Sequence, residues 1–368
     1  MAVYASSYFL AFCFYYFLGF GLSSALRKEL PLLLKKDYST AQRLTSFAVF
    51  FPQAVELVLF LFFTLFAIQV GPIFIKENFS LPLFFCLLIY LFSFNLFDRL
   101  MLIDQARGQF VFFALVNTSV YIIQRIGAVF LVLEKPSVLL VLGCFTGVYW
   151  LSIPWLFWRY RKLLFKTFSK NTFAFLRQAL PYYGVETAQA FTSFGDQFLV
   201  GLFFPAYTLS GYFIIRRLFD FALTLLDYLR APLLPRLVLL QESSQTKART
   251  FYFVRVRFLH LFMAIIFGSL VLFNGPVLKI FAGPKYVHFN WLFILMAPVF
   301  LTKYFVDTFY LLRFVELSPS QAAKLFLQGI SVLFLCELVG GLIGNIYFFV
   351  ALQILGYFFF LFILKRNL

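Results

Sequence analysis

The chain has 368 residues, of which 62% are apolar and only 12% charged, with a formal net charge of +16. Soluble domains carry about 25% charged residues, so this composition excludes an ordinary soluble protein and points to an all-α polytopic membrane protein. The positive balance would suggest nucleic acid on a soluble chain. Here the charge sits in loops, which is positive-inside patterning, and no nucleic-acid partner is expected.

Eleven candidate transmembrane helices follow from the apolar runs: 3–26, 45–69, 80–98, 109–133, 137–158, 177–204, 207–235, 256–275, 289–312, 324–343 and 345–364. The N-terminal stretch lacks the basic n-region of a signal peptide and opens directly in a span. Pro52, Pro154, Pro181, Pro232 and Pro298 lie in or near spans, where membrane helices tolerate them. One set of loops holds most of the 31 Lys and Arg residues, including Arg99, Arg107, Arg313 and Lys324. The alternate loops hold only Lys76, Lys135, Lys279 and Lys285. The alternation puts the basic loops and the C-terminus in the cytoplasm. Cys13, Cys86, Cys144 and Cys336 lie in apolar runs without CxxC or Cys/His spacing, which reads as packing. No catalytic group, metal site or organic cofactor is expected, so the chain is not read as an enzyme.

Ionisable residues inside the spans carry the functional argument, because each costs roughly 2.5–3.5 kcal/mol on insertion scales. Span two has Gln53 and Glu56. Span four has Asn117, Tyr121 and Gln124 on one face with Arg125 beside them, where Arg125 either lines a cavity or snorkels outward. Span six repeats Glu186, Gln189, Ser193 and Asp196 on one helical face, which is either a cavity wall or a seam bonded to a neighbour. Span seven has Arg216, Asp220, Thr224 and Asp227 in helical phase, with Arg217 alongside. Arg216 or Arg217 either faces a cavity or pairs with Asp220 within the helix. Span nine carries Lys303, Asp307 and Tyr310, with Lys303 too deep for easy snorkelling. Arg125, Arg216, Arg217 and Lys303 together suit a phosphate-bearing substrate. Glu56, Glu186, Asp196, Asp220 and Asp307 are candidates to bind a coupling proton or sodium ion. The spacings Gly143-x-x-x-Gly147 and Gly340-x-x-x-Gly344 suit close helix packing.

Asp196, Gly201, Gly211-Tyr212 and Pro235-Arg236, with Gly21-Leu22-Ser23-Ser24-Ala25-Leu26-Arg27 earlier, resemble the polysaccharide (O-antigen, Wzx-type) flippases of the multidrug/oligosaccharidyl-lipid/polysaccharide exporter superfamily. The resemblance implies two pseudo-symmetric helical bundles, here 1–170 with five spans and 171–368 with six. Residues 4–43 resemble 212–249, including Thr40-Ala41-Gln42-Arg43 against Thr246-Lys247-Ala248-Arg249. Span 3–26 would then match span 207–235, as though the family's first helix were missing. The implied function is flipping of a polyprenyl-diphosphate-linked oligosaccharide across a bacterial inner membrane by alternating access, in lipopolysaccharide or other surface polysaccharide synthesis. Its partners would be the bilayer, the lipid-linked substrate and polysaccharide-assembly membrane proteins. The alternatives are another exporter of the superfamily, for drugs or the peptidoglycan lipid precursor, and a membrane glycosyltransferase or polymerase. The short basic loops, without an Asp-x-Asp pattern, count against the last.

Overall fold

The structure, a computed structural model, describes residues 16–66, 68–69, 80–134, 137–164, 173–230, 232–281 and 283–366. Cys13, Lys76 and Lys135, and most of the expected span 3–26, lie outside these. Among the described residues the chain is all-α, with thirteen α-helices and no strand. Among the described residues, eight helices are long and apolar enough to cross a membrane. The chain divides into two compact units, Val3–Glu186 and Thr187–Leu368.

Unit 1 contains α1 (Leu22–Lys36), α2 (Tyr38–Leu65), α3 (Leu81–Ala106), α4 (Phe110–Glu134), α5 (Val138–Leu164) and the first part of α6 (Phe173–Phe203). The expected uninterrupted span 3–26 is corrected by a turn at Leu18–Gly21. Phe20 and Gly21 both take left-handed backbone angles, with φ of 51° and 77°, and α1 starts afresh behind them. Any Cβ on Gly21 would collide with the backbone carbonyl of Ala179 on α6, so glycine satisfies both the angle and the close approach. Asp37 then ends α1 and caps α2. Its Oδ1 accepts from the Thr40 N–H at 3.1 Å and its Oδ2 from the Thr40 hydroxyl at 2.6 Å, satisfying a donor that the first helical turn leaves open. These bonds hold the Asp37 carboxyl below the usual carboxylate range.

Unit 2 holds the remainder of α6, then α7 (Ala206–Arg230), α8 (Leu233–Ser243), α9 (Gln245–Leu272), α10 (Asn274–Phe281), a 3-10 turn at Pro284–Phe289, α11 (Asn290–Glu316), α12 (Pro319–Ile343) and α13 (Ile346–Arg366). The expected span 207–235 is two elements here, α7 and α8, with Pro232 at the N-cap of the second. Ser244 separates α8 from α9 and caps α9 through Lys247, so short helix, polar cap and long helix recur in both units. Gly340 meets the Cα of Phe349 on α13 at 2.7 Å from an ideal Cβ position, as the small-residue spacing predicts. Gly344, at φ 73°, instead ends α12 in a left-handed cap. Gly143 and Gly147 have nothing within 4 Å of a built Cβ, so the close packing expected for that pair is absent.

Each unit is built around one helix. Segments Leu81–Ala106 and Pro284–Glu316 have 61% of their most apolar window buried, against 17–39% for the other candidate spans. α3 packs on α1, α2 and α5, while α11 packs on α7, α8, α9 and α13. Both central helices continue past the expected ends at 98 and 312. Two cations expected in loops, Arg99 and Arg313, are therefore buried helix residues.

Candidate functional site

In unit 1, burial forces three local solutions. Glu56 of α2 is fully buried, and Gln53, Asn95 and Arg99 surround it. The Gln53 amide donates at 3.2 Å, the Asn95 amide donates to the other oxygen, and Arg99 sits at 3.4 Å. A carboxylate that leaves water needs such a complete set of partners. Glu186 on α6 accepts from the backbone N–H groups of Gly21 at 3.0 Å and Ser24 at 2.7 Å. It thereby serves the open donors at the start of α1, where the helix dipole favours negative charge. At the basic end of the unit, buried Asp104 accepts from the Tyr160 hydroxyl and lies 3.7 Å from Arg159. Gln124 donates to the Phe145 carbonyl on α5 at 3.1 Å, which makes it a bonded seam. Arg125 is exposed on α4 beside Ile122, Ile126 and Val129, with its guanidinium 5.2 Å from the Phe145 ring centre.

Unit 2 buries a larger polar group. Arg216 on α7 pairs with Asp196 on α6, donates to the Ser193 carbonyl and lies 3.3 Å from Asp220 one turn along its own helix. The Tyr212 hydroxyl donates to Asp196 at 2.6 Å, and Gln353 on α13 is 3.3 Å away. The Gln353 amide in turn donates to Glu337 on α12 at 3.0 Å, and Tyr357 donates to the Thr192 carbonyl at 3.1 Å. Arg216, Asp196, Glu337, Gln353, Tyr212 and Tyr357 are all buried. Lys303 on α11 is buried too; it and Arg216 flank the Phe300 ring at 5.7 and 5.9 Å. Lys303 lies within electrostatic range of Arg216, Asp220 and Asp307, yet makes no salt bridge or hydrogen bond among the described residues.

Of the sequence candidates, Asp196, Arg216, Asp220 and Lys303 thus come together. Asp307 lies 4.0 Å from Arg230, which also pairs with Asp227. Arg217 is half-buried, 4.8 Å from the Phe213 ring centre. Glu56 and Glu186 belong to the separate unit 1 arrangements. Sequence reasoning overlooked Glu337, although an ionisable residue in mid-span was the criterion that selected the others. Gln353, Tyr212 and Tyr357 carry no such signal, since lone amides and tyrosines are common in membrane helices.

The unit 2 cluster holds three carboxylates, Asp196, Asp220 and Glu337, against two cations, Arg216 and Lys303. Buried polar atoms near it remain unmatched: Asp196 Oδ1 and both ends of the Gln197 amide lack a hydrogen-bond partner among the described residues. The same holds beside Glu56 in unit 1, where Gln53 Oε1 and Asn95 Oδ1 are unmatched among the described residues. The arrangement offers carboxylates that can be protonated and, at Lys303, a positive charge without a salt bridge among the described residues. Arg216, held on three sides, orients the carboxylates.

These features define an all-α polytopic membrane protein with a charged core in its second unit. The fold is shared with solved MATE transporters. A multidrug resistance MATE family transporter of the MOP superfamily in its outward-facing conformation superposes with a TM-score of 0.76 and 10% identity, covering 100% of this chain and 85% of that one. MATE in complex with MaD3S gives 0.73 and 11%, covering 100% and 86%, and MATE in the straight conformation gives 0.72 and 11%, covering 98% and 84%. No protein-family model and no curated protein matches the sequence.

Proposed function

We propose that the chain is an alternating-access exporter that moves a polyprenyl-diphosphate-linked oligosaccharide to the outer leaflet of a bacterial inner membrane, for surface polysaccharide synthesis. The observation that carries this reading is the buried group Asp196–Arg216–Glu337–Lys303 on a fold found in transporters, since intramembrane charge at such a cost marks a transport path. Lys303 and Arg217 meet the diphosphate, and Arg216 positions Asp196 and Asp220. Asp196, Glu337 and Gln197 exchange the coupling proton or sodium ion. Arg125 takes no part, because its exposed place among aliphatic residues suits snorkelling. Glu186 and Glu56 are left out because their carboxylates are already engaged within unit 1. The basic helix ends and the C-terminus face the cytoplasm in this account. A Lys162→Cys variant labelled from outside intact cells would overturn that topology.

The acidic excess of the same cluster favours a second reading, export of an organic cation. Proteoliposomes separate the two. A lipid-linked glycan that becomes accessible in both leaflets, with no movement of a fluorescent cation, supports the glycan reading. Cation movement alone replaces it with the second.

A further inference from the structure

The first turns of α9 carry a groove of about 520 Å³ that the transport reading does not use. Its walls include Thr246, Arg249, Thr250, Phe253, Val254 and Arg257, which are the two i, i+4 rows of one helix face. Arg249 is tied to Glu316 at 2.5 Å. Arg257 is exposed and makes no salt bridge among the described residues, and the hydroxyls of Thr246 and Thr250 make no side-chain hydrogen bond there. Beyond Arg257 the same helix turns apolar and outward, with Phe258, Leu261 and Ile265 exposed. Donors at the polar end and an exposed hydrocarbon-facing row at the other match one class of molecule in both charge and polarity.

We propose that this groove holds an anionic phospholipid. Its phosphate sits on Arg257 and the Thr250 hydroxyl, with Arg249 beyond, and its acyl chains lie along Phe258, Leu261 and Ile265. Arginine suits phosphate because its planar fork offers paired donors, and a basic side chain at the headgroup level contributes about 1 kcal/mol toward an anionic surface. The site is independent of what the chain transports, and its test does not read transport.

Native mass spectrometry of the full chain in detergent, titrated with phosphatidylglycerol and with phosphatidylcholine, tests it. The expected result is a preference for phosphatidylglycerol of about fivefold, the equivalent of one such charge. Arg257→Gln should bring the ratio close to one, and Arg257→Lys should keep most of it. An equal ratio in the unaltered protein, or an undiminished preference in Arg257→Gln, overturns the proposal. Displacement of the lipid by inorganic phosphate alone at matched concentration also overturns it, in favour of a bare anion site. If Arg257→Gln does not accumulate, Arg257→Met carries the same test: a reduced preference supports the site and an unchanged one removes it.

Discussion

Both units bury a carboxylate against an arginine from the following helix, and the two pairs differ in what surrounds them. In unit 1 Glu56 faces Arg99, and Gln53 and Asn95 complete its shell. The charges cancel, and the amides serve the carboxylate oxygens. In unit 2 Asp196 faces Arg216, but Asp220, Glu337 and Lys303 join them, while unmatched amide or carboxyl oxygens occur in both groups, at Gln53 and Asn95 as at Asp196 and Gln197. A pair whose charges cancel suits a structural role. A group with surplus carboxylates is the one that can take up positive charge. On this difference in charge we place the proposed transport role in the second unit.

The sharpest way to break this contrast is to remove one partner and then both. Arg216→Leu leaves Asp196 buried without its cation and should cost about 3–5 kcal/mol, seen as loss of folded protein in size-exclusion and thermal melts. Arg99→Leu should do the same in unit 1. The double variants separate the units. Glu56→Leu with Arg99→Leu should recover both stability and transport, while Asp196→Leu with Arg216→Leu should recover only part of the stability, because Asp220 and the Ser193 carbonyl still lose Arg216, and none of the transport. Transport lost in a stable unit 1 double variant would show that its pair is functional.

Glycine packing sharpens the comparison at a smaller scale. An ideal Cβ on Gly329 of α12 would run into the Phe360 ring of α13, so Gly329→Ala should cost about 1–3 kcal/mol by overpacking. Gly147 in unit 1 has open space, and Gly147→Ala should be neutral or stabilise by up to about 1 kcal/mol through helix propensity. Equal melting shifts for the two would contradict the assigned packing.

The two helix caps give the smallest effects. Ser244→Ala should cost about 1 kcal/mol, with no dependence on pH. Asp37 differs because its folded-state carboxyl titrates below the ordinary value, through its bonds from Thr40. A depressed pKa adds stability that is complete above the ordinary carboxylate pKa and is lost as pH falls through the lowered one. The unaltered protein should therefore lose more melting temperature on acidification than Asp37→Asn, which keeps the cap without titrating. Identical acid profiles would remove that contribution.

Much of the fold was legible because hydropathy reports which segments can sit in lipid. Eight of the eleven expected spans fall on described helices long and apolar enough to cross a membrane, while 177–204 falls on α6 and 207–235 is divided between α7 and α8. Hydropathy reports the lipid-soluble length rather than the helix length, so α3, α5, α9 and α11 overrun their expected polar ends by a turn or more. That overrun hid Arg99 and Arg313 among the loop charges. The turn at Leu18–Gly21 was illegible because it rests on a left-handed Phe20 and on the fit of Gly21 against Ala179, neither of which leaves a break in apolar character. Helical phase did bring Asp196, Arg216, Asp220 and Lys303 into one list. It could not show that Arg216 is spoken for, because partner choice depends on which faces meet. The missed Glu337 needed no structure to be noticed.

Glu337→Gln asks whether the surplus carboxylates of unit 2 work in transport. Glutamine keeps the size of the side chain and can still bond Gln353, so folding should be preserved while the titrating and charged group is gone. In proteoliposomes carrying a polyprenyl-diphosphate-linked oligosaccharide, melting should be unchanged and translocation should fall at least about tenfold, near 1.4 kcal/mol of barrier. Translocation at the unaltered rate in Glu337→Gln would contradict such a role.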